Sequence, residues 1–154
     1  MEQIIFNQIE LNRSRTLEII TNLTSEQVNV TPNGYNNNIL WHVGHILTTQ
    51  ERLSYRLIQE PLELPESLMA LFLNGTKPAD WQTPPPDMST LLPLLKEQPT
   101  RMKQRLEGRL EEQITIPFKD LKRLGEVLIF SIGHEALHVG YIMAMKKLVG
   151  SNTQ

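Results

Sequence analysis

The sequence contains no cysteine, which removes disulfides, thiolate metal sites and a cysteine nucleophile from consideration. Aromatic residues are few, at 6%, and neither sign of charge is in excess: 15 Lys and Arg stand against 17 Asp and Glu, a net charge of −2. A chain held to nucleic acid through phosphate contacts carries a basic excess or stripe, so nucleic acid is not an expected partner. No uninterrupted apolar run approaches the roughly 20 residues that cross a bilayer. The start, Met1-Glu2-Gln3-Ile4-Ile5, lacks the basic-then-apolar layout of a secretory signal. The expectation is a cytoplasmic protein with no membrane partner. What is present, 154 residues of which 40% are hydrophobic and 21% charged, suits one globular domain over 1–154.

Periodicity predicts helices and little else. Residues 3–22 place Ile4, Ile5, Ile9, Leu17, Ile19 and Ile20 among polar residues without Gly or Pro, an amphipathic helix. Thr24-Ser25-Glu26-Gln27 can cap a short turn, and Thr31-Pro32-Asn33-Gly34 is a break. A second helix is expected over 38–58. Residues 61–86 hold Pro61, Pro65, Pro78 and Pro84-Pro85-Pro86 with Asn74-Gly75 between them, an irregular crossover with a short helix at 65–72. A third helix is expected over 89–110, capped by Asp87 or Ser89 and kinked before Pro99, and a fourth over 119–148 ending at Gly150. No alternation is long enough for a sheet, although 114–118 can be briefly extended. The expected fold is all-α, a four-helix bundle with a long crossover between its second and third helices.

The histidines carry the chemistry. All four, His42, His45, His134 and His138, fall in two predicted helices. His134 and His138 are four apart, so one helical face presents both rings, a spacing suited to one metal ion. They also lie in the row Val127, Ser131, His134, His138, Tyr141, Met145, Leu148, whose alternating steps describe an inward seam. Two buried imidazoles without partners cost on the order of 1–3 kcal/mol each, a cost that a shared cation removes. His134-Glu135-Ala136-Leu137-His138 also fits H-E-x-x-H, the zinc-protease pattern with the glutamate as base. Such enzymes take a third ligand from downstream, and residues 139–154 contain no His, Asp or Glu. A third ligand must come from the second helix. There His42 lies nearer the apolar stripe, while His45 shares a more polar face with Asn38, Thr49 and Arg52, and spacing leaves the choice open.

At these residues the chain resembles the DinB-like (DinB/YfiT-like) metalloenzyme superfamily. The segment Asn36–Leu47 is similar to the family's second helix, an apolar and Trp-containing stretch that leads to a ligand histidine. Leu71–Pro78 resembles its F-x-x-G-[ST]-x-P loop, and His134–Ile142 its H-x-x-x-H-x-G-[QY]-I helix. The resemblance implies a metal site of His45, His134 and His138, with His42 beside it. It also implies an up-down-down-up order of the helices and, often, a homodimer. Characterised relatives include metal-dependent transferases and isomerases that use low-molecular-weight thiols.

Three neutral imidazoles leave a divalent ion, zinc or nickel, with an open position. The expected activity is transfer onto a small-molecule substrate of a thiol supplied as cosubstrate, since the chain has no sulfur nucleophile of its own. Tyr141, one turn beyond His138, is a candidate hydrogen-bond donor and Glu135 a candidate acid or base. Thr49, Glu51 and Arg52 are candidates for the mouth. A metal-dependent hydrolase and a non-catalytic helical protein are the alternatives.

Overall fold

The computed structural model describes residues 1–150, and the chain is largely helical. Helix α1 spans Glu2–Ile20, α2 Ser25–Asn29, α3 Ile39–Tyr55, α4 Glu66–Ala70, α5 Met88–Leu106 and α6 Leu124–Gly150. Residues 151–154 of the expected domain lie outside the described residues. Side chains set several of the helix starts. Thr24 and Gln27 form a reciprocal capping box at α2, the Asn38 side chain accepts from the Trp41 amide at α3, and Asp87 accepts from the Thr90 amide at α5. Helix α3 stops three residues short of the expected Ile58, where a 3-10 turn, Arg56–Ile58, takes over. Helix α5 stops at Leu106, before the expected Leu110, at a turn in which Gly108 adopts φ +81°.

Pro99 sits inside α5, and the helix continues through it. It has no N–H to offer the Leu95 carbonyl one turn earlier. That orphaned carbonyl instead accepts from Arg13 Nη1 of α1 at 2.7 Å.

The long helices α1, α3, α5 and α6 pack around two main apolar clusters. One gathers Ile39, Leu47, Phe72, Leu91 and Ile142; the other gathers Phe6, Tyr55, Met102, Leu106 and Leu128. Helix α3 lies against α5 and α6, and α1 also lies against α5 and α6.

Two expectations change. The extension expected at 114–118 is β1 (Gln113–Phe118), but it pairs antiparallel with β2 (Leu121–Arg123), and α6 begins at Leu124 instead of Lys119. The alternation Ile114, Ile116, Phe118 is the local cause, too short to stand out in a helical sequence. The hairpin docks on the 3-10 turn that follows α3 through Thr115 Oγ1, which donates to the Leu57 carbonyl at 3.1 Å. Second, α6 has 27 residues and a window of mean hydropathy 1.4, so by length and composition it could cross a membrane. No uninterrupted apolar run marks this helix, because His134, Glu135 and His138 interrupt it while leaving the average high. One side of α6 packs on α1 and α3.

Candidate metal centre

Helix α3 is buried almost from end to end, so both of its histidines are inside. His45 Nε2 lies 3.2 Å from His134 Nε2, and His138 Nε2 lies 3.2 Å from the same atom. All three rings offer a nitrogen within 4.8 Å of the other two. Two nitrogens each about 2.0–2.1 Å from a tetrahedral zinc ion are roughly 3.3–3.4 Å apart. The two 3.2 Å spacings match pairs of ligands on one such ion, and the third pair lies within 4.8 Å.

The far nitrogens are occupied in a way that frees the converging ones. His45 Nδ1 donates to the Phe72 carbonyl at 2.6 Å, which leaves the lone pair on Nε2. His138 Nδ1 and His42 Nδ1 share one proton across 2.8 Å. For His138 Nε2 to offer its lone pair to an ion, His138 would be the donor and His42 the acceptor. Of the two α3 histidines, His45 joins the three-ring cluster and His42 contacts His138 from behind. Burial, reinforced by neighbouring imidazoles, lowers His42 and His134 to a pKa of about 4 and His138 to about 2. Burial also lowers His45, against the Phe72 hydrogen bond, with the Arg52 charge adding to the lowering. At neutral pH these rings are uncharged, the form that binds metals.

Around the rings, the Trp41 indole stacks on His45 with centroids 4.5 Å apart and planes 11° from parallel. Its N–H donates to Thr76 Oγ1 at 2.8 Å, and that hydroxyl lies 2.9 and 2.8 Å from the Leu71 and Leu73 carbonyls. The loop that supplies the Phe72 carbonyl is thereby tied to the helical turn it serves. Gly44 makes the approach possible, since a Cβ there would sit 2.4 Å from the Phe72 ring.

An open cavity of about 500 Å³ lies against the three histidines. Thr49 and Arg52 line it as expected for the mouth, and Thr49 Oγ1 is 3.4 Å from His45 Nε2. Glu51 does not; it is fully buried and pairs with Arg101 at 2.7 Å. Tyr141 is 45% exposed, stacks on His42 with centroids 5.4 Å apart, and is not among the cavity walls. Glu135 is only 2% exposed and faces α1: it accepts from Arg13 Nε at 2.9 Å and from Thr16 Oγ1 at 2.6 Å. This placement removes the geometry of the H-E-x-x-H base. Sequence reading missed the Phe72 carbonyl, a backbone acceptor that no side chain advertises. It also missed Arg56, Phe118, Lys119 and Phe130, which line the cavity. The i, i+4 spacing of Arg52 and Arg56 was the available signal.

A helical chain with three inward imidazoles on two facing helices defines a candidate metalloprotein. The chain belongs to the DinB superfamily, whose sequence profile matches residues 8–142. That superfamily is metal-binding. No curated protein matches the chain. Among solved structures, a conserved protein from Enterococcus faecalis has the same fold, with a TM-score of 0.72 at 16% identity over 99% of this chain and 98% of that one.

Proposed function

We propose that the protein is a divalent-metal-dependent transferase acting on a low-molecular-weight thiol. The observation that carries this reading is the 3.2 Å convergence of three neutral imidazole nitrogens beside an open cavity. His45, His134 and His138 would hold the ion, zinc or nickel, which when bound supplies Lewis acidity that ionises a neighbouring thiol at neutral pH. The chain has no cysteine, so the sulfur arrives as cosubstrate. In the transfer, the sulfur bonds to an electrophilic carbon, the leaving group departs with its bonding pair, and the thiol proton passes to solvent. The Phe72 carbonyl and His42 hold the ring protons of His45 and His138 away from the ligand face. Trp41, Phe118 and Phe130 give the reacting groups apolar walls. Tyr141 and Glu135 act as positioning residues, the first through His42 and the second by fixing α6 on α1.

The four long helices form an up-down-down-up bundle in this reading. Supporting it, the start of α1 meets the start of α6 (Ile5 with Leu124 in one cluster), while the end of α5 (Leu106) joins them. A cytoplasmic homodimer belongs to the same reading. Ile129, Leu137 and Leu148 leave apolar surface on α6, and light scattering showing a monomer at micromolar concentration removes the dimer.

The test is to incubate metal-equilibrated, untagged protein with 1-chloro-2,4-dinitrobenzene, with and without small thiols. Thioether formation that needs protein, metal and thiol is the expected result. Turnover of electrophiles without thiol makes the protein a hydrolase instead. A wild-type chain that retains no metal, unchanged by His138→Ala, makes it a non-catalytic helical protein.

A further inference from the structure

We propose that the substrate entering the cavity carries a carboxylate, clamped at the mouth by Arg52 and Arg56 together with Lys119 of the hairpin. This deepens the metal-dependent reading above and rests on it for the position of the reacting end.

Three cationic side chains line the cavity, Arg52, Arg56 and Lys119, and no acidic residue does. Of the six other arginines, Arg13, Arg101, Arg105, Arg109 and Arg123 each meet a carboxylate, and Arg15 does not. Among the described residues Arg52 and Arg56 have no such partner. They stand four apart, at the end of α3 and in the turn that follows it, so the two guanidinium groups rise on one side of the opening. The Arg52 charge already reaches the floor, where it helps lower the His45 pKa.

The hairpin supplies the third cation of the lining. Lys119 occupies its tip at φ +51°, a left-handed conformation that disfavours side-chain-bearing residues. The ammonium lies 5.2 Å from the Phe130 ring centre and 5.9 Å from that of Phe118. A strained backbone thus holds a cation above the aromatic walls.

The charge balance then points to the ligand. Neutral imidazoles leave a divalent ion uncompensated, and the mouth adds three more positive charges without a counter-charge from the chain. An anionic ligand supplies it. The planar fork of arginine matches a carboxylate through two parallel hydrogen bonds, and the aromatic and leucine walls favour an apolar body attached to it.

The test is calorimetric titration of untagged, zinc-equilibrated full-length chain with 3-phenylpropionate and with its neutral isostere 3-phenylpropionamide. The acid is expected to bind saturably and the amide about tenfold more weakly, in keeping with loss of charge-assisted hydrogen bonds. Arg52→Gln with Arg56→Gln should weaken the acid by about tenfold or more and leave the amide unchanged. Zinc content and circular dichroism of that variant should match wild type. Repeating the titration on His138→Ala separates the two readings: zinc is lost, and the preference for the acid should remain. A chain that holds no zinc yet prefers the acid through its arginines defeats the metal reading and leaves this one standing. Equal binding of acid and amide, an acid affinity unmoved by the double substitution, no saturable acid binding up to millimolar concentration, or a preference that vanishes with zinc in His138→Ala overturns it.

Discussion

His138 gives one ring nitrogen to the convergence with His134 and the other to His42. That division of labour predicts a graded response to substitution. His45→Ala, His134→Ala or His138→Ala should each abolish stoichiometric zinc binding, while His42→Ala should retain it and weaken it about 10- to 100-fold, as read by competition with a chromophoric chelator. Equal loss in all four variants contradicts the assignment. A second expectation concerns protons. The folded rings of His42, His134 and His138 are protonated only near pH 4 or below, against 6.5 for the same groups unfolded. Below pH 6.5 the unfolded chain therefore binds more protons, and stability falls with pH. The metal-free protein should melt at progressively lower temperature from about pH 6.5 to 4 and show no histidine-linked change from 7 to 8, and scanning calorimetry across that range measures it. The pairing of the histidines in two helices was legible in the sequence. The choice of His45 over His42 came from the family resemblance and not from periodicity, because a helix buried on nearly all sides has no solvent face against which to orient a wheel.

Among the elements, α6 shows where pattern reading went astray. The seam expected through Val127, Ser131, His134, His138, Tyr141, Met145 and Leu148 keeps Val127, Ser131, His138 and Met145 buried and leaves Tyr141 and Leu148 exposed. The buried row is Leu124, Leu128, Ser131, Glu135, His138, Ile142, Met145 and Val149. Its steps alternate four and three as expected, but it is shifted around the helix. A helix apolar on all sides offers no contrast to fix its rotation, and the buried glutamate reads as surface when its partner, Arg13, is far away in sequence. The extension at 114–118 was legible but its pairing into a hairpin was not: the hairpin docks on the turn that follows α3, which no local pattern records. The α3 contact with the 71–78 loop carries its own prediction. Gly44→Ala places a methyl group 2.4 Å from the Phe72 ring, so the loop must retreat. Overpacking of this kind costs about 1–3 kcal/mol. Thermal unfolding should show that loss, and zinc affinity should fall with it as the Phe72 carbonyl leaves His45. A stable variant with undiminished affinity would show that the loop does not orient the ring.

Across the whole molecule, one buried polar chain links the four long helices. Thr16 and Arg13 of α1 bond Glu135 of α6; Arg13 reaches Gln98 of α5 at 3.2 Å; Gln98 bonds the Leu47 carbonyl and Glu51 of α3, each at 3.0 Å. Removing one member of a buried pair strands the other, so Arg13→Ala should cost about 3–5 kcal/mol in chemical denaturation. Arg13→Met combined with Glu135→Leu should cost clearly less, and equal losses would mean that packing volume matters there and charge does not. The helical class could be foreseen from periodicity, but this chain could not, since each of its members reads as surface when taken alone. Its geometry also acts as an alignment key. Sliding any long helix by one turn, about 5.4 Å, would leave an ion stranded in apolar surroundings. Well-packed but misregistered arrangements are thereby excluded, and α3 and α6 are held at the single offset where their imidazoles meet.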